Sequence, residues 1–449
     1  MRIERLTVQN FKKFTQQTFT LHPEFTLLVG ENGSGKTSVL DALAISLGIW
    51  LVEPPDSSLK DSERNIDRTE IRLESSQRGD RTQFTEKLPV RVEAFGQIGE
   101  GSSSPVTWSR EVSLRKNPIT TNDASEALAI IWDIYKRDDL GENVICPVLA
   151  YYGAGRAWLP PKFPFGFPEP NSDELPRRWS AFRDCFNQNI SFEDLRKWFQ
   201  RETTAAGNLG GRMRPGFEAV KRAVLNCVPN ADKLWFDPDR EDIAFSIQGE
   251  ALPSANLSAG QRMMLGLVAD IAIKAVTQNA FLLPASELGP EDDPLPRVLQ
   301  QTPGVVLIDE VDVHLHPKWQ RHVIEDLRRT FPNIQFVGTT HSPFLIQSLR
   351  SGEELIVLDG QPPAQLADKP IEVIAQGIMG VANPQVSARY EQMKGAARQY
   401  LETLEEAALA PEDKLADFKD RLSSAIAPYA DNPAFQAFLE MKRAAKLKE

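Results

Sequence analysis

The sequence predicts an α/β fold built around a phosphate-binding loop, and three observations carry that prediction. Gly30-Glu31-Asn32-Gly33-Ser34-Gly35-Lys36-Thr37 fits the pattern GxxxxGK[ST]. It lies between a nearly all-apolar run, Phe25 to Val29, and a helix-forming stretch from about Thr37 to Gly48. A second apolar run, Gly304 to Ile308, ends in Asp309-Glu310, and a third, Ile334 to Thr340, ends at His341. Short apolar runs of this kind suit strands buried on both faces of a parallel sheet, whose carboxyl ends line the ligand crevice.

The remaining elements follow in order. Ile3, Leu6 and Val8 mark an opening strand, and Phe19 and Leu21 a second. Between 51 and 145, extended patches near 88–95 and 105–114 flank the turn-like Gly96 to Pro105. Glu126 to Tyr135 reads as a helix, so this region is a mixed lobe with insertions. Leu159 to Pro170 holds five prolines in twelve residues, and proline fixes φ and removes a donor, so neither helix nor central strand survives there. Residues 173–228 read as helical, with cationic clusters at Arg177-Arg178, Arg196-Lys197, Arg212 and Arg214, and Lys221-Arg222. These clusters are read as a solvated face, with a partner or nucleic-acid surface as the alternative. Residues 234–247 alternate on both sides of Asp237-Pro238-Asp239 and read as a hairpin. An apolar helix runs from Met263 to Ala275, and the acidic Ser286 to Pro296 is a surface loop. After 385, good helix formers broken at Pro411 and Pro428 give a small helical tail.

Composition sets the broad class. The chain has 449 residues, 41% hydrophobic and 25% charged, which provides a core and excludes disorder as the main state. A net charge of −11 gives no support to non-specific coating of nucleic acid, which needs cationic surface. Cys146, Cys185 and Cys227 are odd in number and widely spaced, which argues against a disulfide framework or thiolate zinc site and for a reducing compartment. Met1 to Asn10 has no signal-peptide apolar region, and no uncharged apolar run approaches the roughly 18 residues of a bilayer span. A soluble cytoplasmic protein with no membrane association is expected.

The motifs specify the chemistry. Glycines let backbone amides wrap an oxyanion, the helix N-terminus adds its positive end, Lys36 reaches the β- and γ-phosphates, and Thr37 can ligate Mg²⁺. The expected phosphate contacts are Gly30, Asn32, Gly33, Ser34, Gly35, Lys36, Thr37 and Ser38. Asp309 would hold the metal together with Thr37, Glu310 would polarise an attacking water, and His341 would reach a γ-phosphate. Leu257-Ser258-Ala259-Gly260-Gln261 precedes the apolar helix, where a serine cap and a glycine make a second anion site of Ser258, Gly260 and Gln261.

In that order the motifs resemble the ABC-type ATPase head of the SMC and RecF proteins, over about 1–60 and 235–350. The opening IERLTVQNFKKF…FTLLVGENGSGKTSVLDAL is similar to the start of those heads, where the sequence after the first strand lies near the nucleotide. The implied fold is a mixed sheet lobe plus a RecA-like core, with a helical insertion lobe and a small C-terminal tail. The expected division is 1–155 and 234–384 for the two ATPase lobes, 156–233 for the insertion and 385–449 for the tail. The resemblance implies that two heads sandwich two ATP molecules, with Ser258 of one touching the γ-phosphate held by Lys36 of the other. Residues 311–317 would then be the D-loop at the seam, and the glutamine loop is sought near Val144 to Arg156.

Departures from the SMC pattern are informative. The separation of 220 positions from Thr37 to Leu257 leaves no room for a long coiled coil, and no sustained heptads or CxxC hook appear. PVLAYYGAGRAWLP (147–160), the hairpin, DEVDVHLHPKWQ (309–320) and the tail are similar to stand-alone anti-phage defence ATPases of the Septu and retron-associated PtuA type. That resemblance implies an ATP-dependent homodimer or higher oligomer working beside a separate HNH-type nuclease, with nucleic acid reached through the partner or the basic insertion. A RecF-like DNA repair ATPase and a nucleotide-occupied scaffold with little turnover are the alternatives.

Other constellations are read as structural. His314, His316 and His322 near Asp312 lack the further ligands of a metal site, and Asp237 and Asp239 belong to a turn. Only 108 residues follow His341, without the DxD strand of a Toprim nuclease, so the chain alone is not expected to cut DNA. Trp158, Trp179, Trp198 and Trp235 are read as core or partner contacts rather than base-stacking platforms.

Overall fold

The computed structural model describes residues 1–99, 104–113, 122–156, 178–284, 288, 295–358, 369–381, 383–409, 411, 414–429 and 432–447. The proline-rich segment, Trp158 and most of the expected loop at 286–296 lie outside these residues. The described residues form two compact units, Met1–Ile374 and Ala375–Glu449, against a tail boundary expected at 385.

The first unit opens with β1 (Arg2–Phe11) and β2 (Phe14–Thr20), followed by β3 (Phe25–Val29). Ile3, Leu6 and Val8 are not evenly spaced by two, yet all are buried, because a register shift between Ile3 and Arg5 inserts one residue against the neighbouring strand. Next come β4 (Leu73–Arg78), β5 (Arg81–Glu86), β6 (Val90–Gln97), β7 (Val106–Val112) and β8 (Val148–Tyr152). A meander of β9 (Ala231–Asp237), β10 (Asp242–Ile247) and β11 (Glu250–Pro253) precedes β12 (Gly304–Ile308), β13 (Ile334–Thr339) and β14 (Leu355–Val357). The principal helices are α1 (Lys36–Leu47), α2 (Ser125–Asp139), α3 (Phe192–Asn208), α4 (Pro215–Cys227) and α5 (Ala259–Gln278).

The central sheet is parallel throughout, in the order β14-β3-β13-β12-β8. Its strands β3, β8, β12 and β13 are buried along their whole length, as continuous apolar runs require when both faces are covered. A four-stranded antiparallel sheet, β2-β1-β6-β7, lies beside α1, and together they enclose a core around Trp50, Trp108 and Tyr135. Trp179 is buried in that same core, while Trp198 stacks on Phe217 with ring centroids 6.2 Å apart. Helices α3 and α4 pack on α5 in the same unit. The C-terminal unit has its own small core of Tyr400, Leu404, Leu422 and Leu439.

Gly304 shows how closely the central strands approach. A Cβ there would stand 2.4 Å from the Val148 carbonyl oxygen and 3.0 Å from its nitrogen, so backbone rather than a flexible side chain must yield. Gly304→Ala is expected to destabilise the first unit by about 3 kcal/mol, the upper part of the overpacking range. Calorimetry should register this as a clear fall in Tm; an unchanged Tm would mean the strands part easily.

Candidate functional site

The phosphate loop spans the end of β3 and the start of α1. Gly33 and Gly35 have φ of +81° and +101°, which side chains rarely adopt, and a Cβ on Gly35 would also meet the Phe14 ring at 2.7 Å. Lys36 is buried, and its Nζ donates to the carbonyls of Gly30 at 2.8 Å and Glu31 at 3.1 Å. The loop thus points a cation along its own backbone toward the space over the helix N-terminus, where unpaired amides favour an anion.

The ends of β12 and β13 complete the wall. Thr37 Oγ1 donates to Asp309 Oδ2 at 3.0 Å, and Thr339 Oγ1 donates to Asp309 Oδ1 at 2.6 Å. Thr339 Oγ1 also accepts from Glu310 N at 2.7 Å, so one threonine ties both acidic residues to the next strand. Glu310 has φ of +49°, a conformation that costs a non-glycine residue roughly 1–2 kcal/mol and persists only where its surroundings impose it. Asn32, Gly33, Gly35, Lys36, Thr37, Ser38, Asp309, Glu310 and His341 all line one cleft of ≈ 340 Å³. An oxygen-rich pair such as Thr37 and Asp309, facing the same space, fits Mg²⁺.

Two of the expected phosphate-loop contacts fall outside that lining. Ser34 is 4% exposed with its hydroxyl buried, and Gly30 contributes a carbonyl to Lys36 rather than an open edge. Two lysines that the motifs do not name are present in the cleft: Lys12 and Lys13, on the turn between β1 and β2. Lys13 Nζ donates to Gly33 O at 2.9 Å, and Lys12 pairs with Asp41 on α1 and with Glu70 at 3.4 Å. Two consecutive lysines in a tight turn after the first strand were the available signal.

Ser258, Gly260 and Gln261 lie apart from the cleft lining. Ser258 is exposed and caps α5 reciprocally with Gln261: Ser258 N donates to Gln261 Oε1 at 2.9 Å, and Gln261 N to Ser258 Oγ at 3.4 Å. Gly260 is pressed against the loop after β12, where a Cβ would stand 2.5 Å from His314 O. The stretch Val144 to Arg156, where a glutamine loop is expected, holds β8 and its following turn and contains no glutamine; Gly153 N donates to the main-chain carbonyl of Gln188 at 2.8 Å.

An AAA domain model matches residues 5–202, and a second AAA domain model, of the AbiEii toxin type, matches 245–347. The chain is 23% identical to the retron Vc95 probable ATPase of Vibrio cholerae serotype O1 biovar El Tor, over 80% of this chain and 73% of that protein. It is 24% identical to the Septu protein PtuA of Bacillus mycoides, over 80% of this chain but 41% of that longer protein. The SMC head domain from Thermotoga maritima aligns over 79% of this chain and 94% of its own, at 16% identity and a TM-score of 0.40. No helix among the described residues is long and apolar enough to cross a membrane. The chain is a P-loop ATPase of the α/β class, with homologues among the retron ATPases and the Septu PtuA proteins.

Proposed function

We propose that this ATPase is a molecular switch of anti-phage defence that closes as a pair around ATP and governs a separate nuclease. One observation supports the pairing: Lys36, Thr37, Asp309, Glu310 and His341 share a cleft, whereas Ser258 and the α5 N-terminus lie on the same unit outside that lining. A second copy would supply the missing wall. The defence role is supported by the similarity to the retron and Septu proteins, and the separate HNH-type nuclease by the resemblance of residues 147–160 and 309–320 to stand-alone defence ATPases.

The chemistry follows from the residues. The phosphate-loop amides and Lys36 hold the β- and γ-phosphates, while Lys12 and Lys13 add positive charge at the rim. Thr37 and Asp309 would hold Mg²⁺, which neutralises phosphate charge when bound. The Glu310 carboxylate orients a water for in-line attack on the γ-phosphorus and accepts its proton, and the γ-phosphate leaves ADP as inorganic phosphate. His341, exposed at the end of β13, donates to the γ-phosphate and so reports its presence.

The pairing is tested by light scattering with and without ATP, using the slow Glu310→Gln protein. A doubling of mass that needs ATP supports the switch; a mass indifferent to nucleotide overturns it. Lys36→Ala tests the loop itself. Hydrogen bonds to charged groups are worth roughly 1.5–3 kcal/mol, so its ATP Kd should rise about 10- to 100-fold. Titration calorimetry reads this directly, and wild-type affinity would remove Lys36 from the phosphate site.

A further inference from the structure

The turn after β8 carries a buried arginine that the phosphate site does not use. Arg156 is 1% exposed. Its Nη1 donates to Gly153 O at 2.9 Å and to Asp309 O at 2.7 Å, and its Nη2 donates to Glu310 O at 3.1 Å. The planar fork therefore grips two consecutive peptide carbonyls at the end of β12. That anchor is itself fixed. Arg156 N donates to Gly153 O at 3.2 Å, Ile190 N donates to Arg156 O at 2.8 Å, and a Cβ on Gly153 would stand 2.8 Å from Gln188 Cβ.

The gripped peptides are the unusual ones. Glu310 holds its φ of +49° with its N–H on Thr339 and its carbonyl on Arg156, so the backbone is clamped on both sides of the Cα. Burial pushes the Arg156 guanidinium down to about 10, with Asp309, Asp312 and Glu310 acting in the opposite sense, and it remains a cation at neutral pH. A buried cation held by carbonyls rather than by a hydrogen-bonded carboxylate is an expensive way to support a turn. Its geometry suits control of the peptide that carries Glu310.

We propose that Arg156 is a positioning residue for hydrolysis: by holding the Asp309 and Glu310 carbonyls it fixes the left-handed Glu310 backbone and hence the aim of the Glu310 carboxylate. This inference rests on the assignment of Glu310 as the group that orients the attacking water. Lysine cannot replace the fork, because a single ammonium on a flexible stem does not hold two carbonyls in one plane. A carboxylate misplaced by about 1 Å loses on the order of 10²-fold in rate without altering the phosphate contacts.

The test measures steady-state hydrolysis, ATP affinity by titration and Tm for Arg156→Lys and Arg156→Gln, each alone and combined with Glu310→Gln. The expected result is a kcat about 10- to 100-fold lower, with KM and Kd within about twofold, and no further loss in the Glu310→Gln background. A kcat within twofold of wild type in Arg156→Lys, beside a slow Glu310→Gln, overturns this inference alone. Parallel losses of kcat, affinity and Tm, or failure of both Arg156 variants to fold, also overturn it and leave a structural arginine. Wild-type turnover in Glu310→Gln overturns the Glu310 assignment and this inference together.

Discussion

Glu310→Gln is expected to bind ATP as the wild type does and to hydrolyse it about 10²–10⁴-fold more slowly, the range that a positioned general base contributes. The substitution keeps the size of the side chain and removes the charge that polarises water. It leaves the backbone contacts untouched, since Glu310 is held through its N–H by Thr339 and through its carbonyl by Arg156. The amide changes neither the Lys36 contacts nor the Thr37–Asp309 pair, so nucleotide affinity should stay within about twofold. Phosphate release measured beside titration calorimetry checks both halves, and undiminished release would remove Glu310 from the reaction.

Ser258→Arg has the second large effect expected. Ser258 lies outside the cleft, so ATP binding by the isolated chain should be near normal. Arginine removes the hydroxyl that caps α5 and puts a bulky side chain where a second copy's γ-phosphate would approach. Loss of an N-cap costs about 1 kcal/mol, too little to unfold a helix buried along most of its length. Hydrolysis should therefore vanish while affinity and Tm barely move. Mixing Ser258→Arg with Lys36→Ala creates pairs with one site doubly defective and one intact, so hydrolysis returns if a single intact site can fire. Full hydrolysis by Ser258→Arg alone would sink the two-copy arrangement.

Legibility in the sequence tracked how local each feature is. The phosphate loop and the DE strand end were readable because each is fixed by neighbours in sequence: glycines at positive φ, an apolar strand before, a helix after. The β4–β5 hairpin was missed because every residue from Leu73 to Thr85 within its strands is exposed, leaving no buried face to impose alternation. Strand β11 has no buried residue either. Arg156 could not be found from pattern alone: its partners are 153 and 154 positions away, and only the packing of β8 beside β12 brings them together. Lys12 and Lys13 similarly gain meaning once the β1–β2 turn meets α1.

The pressing of Gly260 against His314 O bears on how two nucleotides would communicate. In the proposed pair, one copy's α5 terminus faces its partner's cleft, while its own 311–317 loop leaves its own acidic strand end. A glycine-only contact joins those two pieces with no compliant side chain between them. In such a pair, displacement of one would shift the other, and each chain would act as a crossbar linking two half-sites that belong to different ATP molecules. Linkage makes the influence mutual: whatever the first nucleotide does to the affinity for the second, the second does equally to the first. Such a pair would bind its two ATP molecules as coupled rather than independent sites.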